Sequence, residues 1–142
     1  MTDSEIMRNL DNVMLRVRAA AERSGRSMED IKVIAVTKTV DVARINDVYE
    51  YGLRDMGENR VQELLEKYDK LPSDIKWHLI GHLQTNKVKY IADKVEMIHS
   101  VDSIELAKEI DKRAARLQRK VNILLQVNVS GEETKFGISP DQ

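Results

Sequence analysis

The chain has 142 residues, 42% hydrophobic and 33% charged, with 23 Lys and Arg against 24 Asp and Glu, a composition that predicts one soluble globular domain over residues 1–142. A net charge of −1 supplies no basic excess for a nucleic-acid or anionic-membrane partner, and the lack of cysteine excludes disulfides, thiolate nucleophiles, Cys-ligated zinc and iron–sulfur clusters. No apolar run approaches the roughly 20 residues of a spanning helix, and the opening MTDSEIMRNL lacks the basic-then-apolar pattern of a secretory signal, so a cytoplasmic location is expected.

Thr2 and Glu5 have capping-box spacing, and Ile6, Leu10, Val13 and Val17 recur at intervals of three and four. This predicts a first helix, ended by Gly25. Residues 31–37 (IKVIAVT) are β-branched and apolar on both alternating faces, as in a parallel strand covered on each side. Val42, Ile45 and Val48 carry a helix stopped by Gly52. A weak strand over 53–57 precedes a helix with Val61, Leu64, Leu65, Tyr68 and Leu71 on its stripe, ended by Pro72. Residues 75–80 (IKWHLI) predict a third strand, 85–92 a short helix or turn, and 95–101 (VEMIHSV) a fourth strand. Asp102 with Glu105 then opens a helix that buries Ile104, Ala107, Ile110, Ala114 and Leu117. Residues 121–129 (VNILLQVNV) form the fifth and most β-like strand.

Five strands alternating with helices, with no hairpin dipeptide between strands, predict right-handed βαβ crossovers and a parallel sheet. The class is α/β. Two architectures fit: an open doubly wound sheet, or part of a (β/α)8 barrel, which when complete takes about 250 residues.

Parallel α/β folds gather ligands at the C-terminal ends of their strands. Lys38 ends the first predicted strand, Glu58 and Asn59 the second, His82 the third, His99 and Ser100 the fourth and Asn128 the fifth. Lys38 alternates onto the face of Ile34 and Val36, an apolar floor that favours a neutral amine able to attack an aldehyde. The plainer alternative is a lysine that snorkels into water. His78 and His82 are four apart, a metal spacing on a helix but not on a strand, and the glutamate of the metalloprotease motif is missing. Residues 81–87 (GHLQTNK) fit a ligand-facing loop or an ordinary polar one equally well. Asn128-Val129-Ser130 is a chance match to a glycosylation acceptor. The basic run Lys108, Lys112, Arg113, Arg116, Arg119 and Lys120 reads as a solvated helix face. No dinucleotide, nucleoside-triphosphate or nucleophile-elbow motif is present.

Taken in order, Ala35-Val36-Thr37-Lys38, the 57–63 segment GENRVQE, the 77–87 segment WHLIGHLQTNK, the 98–103 segment IHSVDS and the 126–137 segment QVNVSGEETKFG closely resemble the pyridoxal 5'-phosphate (PLP) homeostasis protein family, also called the proline-synthetase co-transcribed or YggS-like family. The resemblance implies a barrel like the N-terminal domain of alanine racemase, with PLP held as a Schiff base. Lys38 matches the family's Schiff-base lysine, and Asn59, His82 and Asn128 match polar positions on its cofactor-facing rim. Family members are regarded as PLP carriers or regulators of vitamin B6 and amino-acid pools, without an established turnover.

A full family member continues through three more βα units, with phosphate-binding loops after the last strands. The chain is therefore read as a C-terminally truncated or engineered form, with weakened PLP affinity. Its sheet would expose an interior face and two unpaired edges, which predicts self-association or rearrangement into an open sheet. Two further readings stand beside this one. One is an alanine racemase-like amino-acid racemase, for which the second acid/base has no identifiable counterpart. The other is an α/β scaffold without a function of its own.

Overall fold

The computed structural model describes residues 3–142; the predicted cap Thr2 lies outside them. Helix α1 (Asp3–Arg23) buries Ile6 and Ala21 and packs on α2 (Val42–Tyr51). The stop signals read from the sequence hold in both: Gly25 has φ +72° and Gly52, which caps α2, has φ +119°. Glycine meets no Cβ penalty there.

Five strands, β1 (Ala35–Val36), β2 (Asp55–Glu58), β3 (Lys76–Leu79), β4 (Val95–Val101) and β5 (Asn122–Leu125), form one sheet in the order β1-β2-β3-β4-β5. Every neighbouring pair is parallel. Helix α3 (Val61–Tyr68) connects β2 to β3, a 3-10 turn with α4 (Val88–Ile91) connects β3 to β4, and α5 (Ile104–Arg116) connects β4 to β5. This is the predicted α/β architecture, a parallel five-stranded sheet of βα units.

Alternation divides the sheet into two faces. Met56, Trp77, Leu79 and Ile98 point into the helix layer and, with Ile45, Leu64, Leu83, Val88, Ile91, Leu106 and Ile110, make a core in which each residue is at most 3% exposed. Each such side chain removed from water contributes about 1.5–3 kcal/mol. The opposite, inner face carries Val36, Asp55, Gly57 and His78, in a register that sets Val36 beside Gly57 and Gly57 beside His78.

Several boundaries differ from expectation. The first strand shrinks from 31–37 to two residues, because Gly52 and Leu53 still donate to Tyr49 and Val48 of α2, so β2 offers pairing only from Asp55. Its faces are not both covered either: Val36 is 52% exposed. The fifth strand stops at Leu125, and Ile123, Leu124 and Leu125 are exposed because β5 is an edge with no sixth strand beside it. His99 and Ser100 lie inside β4 and not at its end. The α5 cap is Ser103, whose hydroxyl accepts from the Leu106 N–H, rather than Asp102. Ile104 and Leu117, placed on the buried stripe from the sequence, are exposed. Arg119 leaves the basic helix face to donate to the Ala92 carbonyl and to that of Val95, the first residue of β4.

Candidate functional site

Because the strands are parallel and lie in sequence order, Lys38, Asn59, His82 and Asn128 follow one another along a single rim. Lys38 stands one residue past Thr37, whose N–H still pairs with the Gly57 carbonyl. It is exposed, and among the described residues no hydrogen bond or ion pair engages its Nζ. The next residue, Thr39, has φ +62°, a left-handed conformation that costs a β-branched residue of order 1–3 kcal/mol and persists only where the surroundings impose it.

Beside it, on the helix side, lies an ion cluster built on the buried Lys67 and Glu58. Lys67 Nζ, on α3, lies 2.6 Å from Glu58 Oε1, 2.8 Å from Glu63 Oε1 and 2.7 Å from the Thr37 carbonyl, to which it donates. Thr37 Oγ1 donates to Glu58 Oε1 at 2.8 Å, and the Thr39 N–H donates to Glu63 Oε1. Burial pulls the Lys67 ammonium down, but hydrogen bonds and charge from Glu58 and Glu63 outweigh it and hold its pKa above the ordinary lysine value. The Lys67 hydrogen bond, followed by the Thr39 N–H, holds the Glu63 carboxyl below its ordinary value. Glu58 is fully buried, and its Oε2 has no hydrogen-bond partner.

Asn59 and His82 share a cleft of about 500 Å³ whose walls include Arg60, Gln84, Lys87 and Tyr90. Gly81 lets the two loops meet: a Cβ there would fall 2.4 Å from the Asn59 carbonyl oxygen. His82 lies 3.4 Å from Asp102 Oδ2 through Nδ1, and its ring stacks on Phe136 at 3.7 Å and 9°. Lys38 and Asn128 are not among the residues lining that cleft. Asn128 braces its own loop, with Nδ2 donating to the Glu132 carbonyl and Oδ1 accepting from Ser130 Oγ and the Gly131 N–H. That loop is the one that delivers Phe136 to His82. The two histidines four apart therefore have different partners. His78 bonds Asp55 and His99 on the inner face, and His82 lies beside Asp102 on the rim.

Sequence reasoning found the rim but missed Lys67, Glu63, Asp55 and Phe136. For Lys67 a signal existed, since Glu63 precedes it by four on a predicted helix. For Asp55, on a weak strand, none did.

The family described as alanine racemase, N-terminal domain, matches residues 9–142. The chain is 48% identical over 133 residues to the pyridoxal phosphate homeostasis protein of Aquifex aeolicus, an alignment that covers 93% of this chain and 58% of that protein. The crystal structure of a protein from Bifidobacterium adolescentis superposes with a TM-score of 0.86 at 38% identity, covering 98% of this chain and 61% of the other. PipY of Synechococcus elongatus, solved with PLP bound, superposes with a TM-score of 0.73 at 38% identity, covering 87% and 57%. The chain thus spans about three-fifths of the length of these relatives. With its parallel βα units and a family match over all but its first residues, the chain belongs to the alanine racemase N-terminal domain family, and its sheet is a five-stranded part of that barrel fold.

Proposed function

We propose that this chain is the PLP-binding part of a pyridoxal phosphate homeostasis protein, with Lys38 as the residue that takes the cofactor. One observation carries the reading: an exposed, unpaired amine stands at the C-terminal end of β1, the end where parallel α/β folds collect ligands. Similarity to PipY, solved with PLP bound, supports the choice of cofactor.

The residues present fit the aldehyde end of such a group. Lys38 has no carboxylate holding its ammonium among the described residues, and it stands two residues past Val36, the last residue of β1. Lys38 would hold the group through its Nζ, and PLP would supply an aldehyde able to condense with an amine with no net redox change. Asn59 and His82 offer an amide and an imidazole on the next two strand ends, and Asn128 serves by bracing the loop that seats Phe136 on His82. The proposed role is to hold and release the cofactor rather than to turn over a substrate.

The test mixes the protein with PLP, records the visible absorbance, reduces with borohydride and maps the modified lysine by mass spectrometry. One pyridoxyl group at Lys38, absent in Lys38→Ala, is the expected result. Equal labelling of many lysines overturns the reading.

In the same reading the chain is a single domain that acts in the cytoplasm and self-associates through its open sheet, where Val36, Leu124 and Leu125 are exposed. Among the described residues no helix is long and apolar enough to cross a membrane. Light scattering that shows a monomer at high concentration overturns the self-association.

A further inference from the structure

The backbone on both sides of Lys38 is held from one helix. Before Lys38, the Thr37 carbonyl receives the Lys67 ammonium at 2.7 Å; after it, the Thr39 N–H donates to Glu63 Oε1. The two α3 side chains are themselves paired at 2.8 Å, four residues apart, so the clamp is a single unit. Glu58 ties that unit to β2, since its Oε1 accepts from both Lys67 Nζ and Thr37 Oγ1. The residue after Lys38, whose N–H Glu63 receives, sits in a left-handed conformation with φ +62°.

We propose that the Lys67–Glu63 pair positions Lys38, fixing the two peptide groups that flank it so that its amine meets an aldehyde ligand from one direction. This rests on the reading of Lys38 as the cofactor lysine. The pair never touches the ligand. It acts through the Lys38 backbone, and geometry of this kind governs the rate of a condensation because reacting atoms must approach within a narrow cone. Glu63 is the member to vary. Its side chain is 23% exposed, whereas loss of Lys67 strands a buried Glu58.

The experiment compares wild type, Glu63→Ala and Glu63→Gln. Glutamine retains an oxygen that accepts from Thr39 and Lys67, whereas alanine retains neither. Each protein is exposed briefly to PLP, reduced with borohydride, and the rate of modification at Lys38 is read against exposed Lys120 in the same digest. Exchange of the Thr39 amide is followed by NMR without any ligand. Glu63→Ala is expected to slow Lys38 modification about tenfold relative to Lys120 and to speed Thr39 exchange, with Glu63→Gln restoring both. An unchanged Lys38 rate in a folded Glu63→Ala protein overturns the proposal while leaving Lys38 as the cofactor lysine. If wild-type Lys38 reacts no faster than Lys120, the cofactor reading fails instead. The clamp then stands or falls on Thr39 exchange, which Glu63→Ala must accelerate and Glu63→Gln must not.

Discussion

His78 Nδ1 lies 2.9 Å from His99 Nε2 on the inner face of the sheet, and the other His78 nitrogen lies 2.8 Å from Asp55 Oδ1. Asp55 also sits 3.7 Å from Lys32 Nζ, so a polar chain runs across three strands at the level of the β2–β3–β4 register. At these distances one proton must lie between the two rings, carried by His78 Nδ1 or by His99 Nε2.

That arrangement predicts an acid-sensitive fold. Burial first, then the proximity of His78 and Lys32, holds the His99 pKa below its ordinary value of 6.5. The folded state therefore binds this proton less readily than the unfolded chain. The stability contribution is complete above about pH 6.5 and is lost as pH falls from there toward the lowered folded value. His99→Gln keeps a donor near Nε2 and removes the titration. Its melting temperature is expected to vary less than that of wild type between pH 7 and pH 5, and parallel curves would refute the assignment.

Lys67→Met is expected to cost about 3–5 kcal/mol in urea unfolding, because it leaves the fully buried Glu58 carboxylate without its cation. The double variant Glu58→Gln/Lys67→Met is expected to lose less than Lys67→Met alone, since no buried charge is then stranded. A double variant that costs the sum of the two single changes would show that the two residues do not interact.

The same cluster sets an acid limit of its own. Glu63 has a folded pKa below its ordinary 4.5, so its contribution is present above about pH 4.5 and is lost as pH drops through the folded value. Lys67 is shifted the other way, above 10.5; its contribution is complete below that pH and fails only as pH rises beyond it. Glu63→Gln should therefore lower stability near neutral pH, where the ionised carboxyl contributes, and approach wild type below pH 4.5, so that its denaturant midpoint varies less with pH than that of wild type.

Most of the fold was legible because its signals are local. The 3.6-residue stripes, Gly25 and Gly52 marked α1 and α2, and the β-branched run 95–101 marked β4 to the residue. The errors came where tertiary partners decide. The apolar run 31–37 reads as a covered strand, yet only Ala35 and Val36 form one, and the equally apolar 121–129 became a short exposed edge. Asp102 looks like a cap by spacing, but His82 sits 3.4 Å from it, and Ser103 takes the cap. At the site, the ends of the predicted strands led to Lys38, Asn59 and His82 one at a time. Nothing in the sequence announces that a lysine 29 positions after Lys38 holds the Thr37 carbonyl, since that contact exists only once α3 lies against β1 and β2.

Gly81 is the position where rim geometry is most exposed to a single methyl group. A Cβ there would lie 2.4 Å from the Asn59 carbonyl oxygen and 2.8 Å from its Cα. These are backbone atoms at the end of β2, so no side chain can swing aside. Either the 80–84 loop retreats, carrying His82 off Phe136, or the 58–60 backbone moves and takes Asn59 with it. Gly81→Ala is expected to cost about 1–3 kcal/mol of stability. Its PLP affinity should fall by more than that of a rim-distant variant of similar stability, such as Gly52→Ala at the α2 C-cap before β2, whose φ of +119° costs a side chain about 1–3 kcal/mol. Titrating both variants by visible absorbance separates the two cases: equal affinities would mean that the contact between the 58–60 and 80–84 loops supports the fold and not the site.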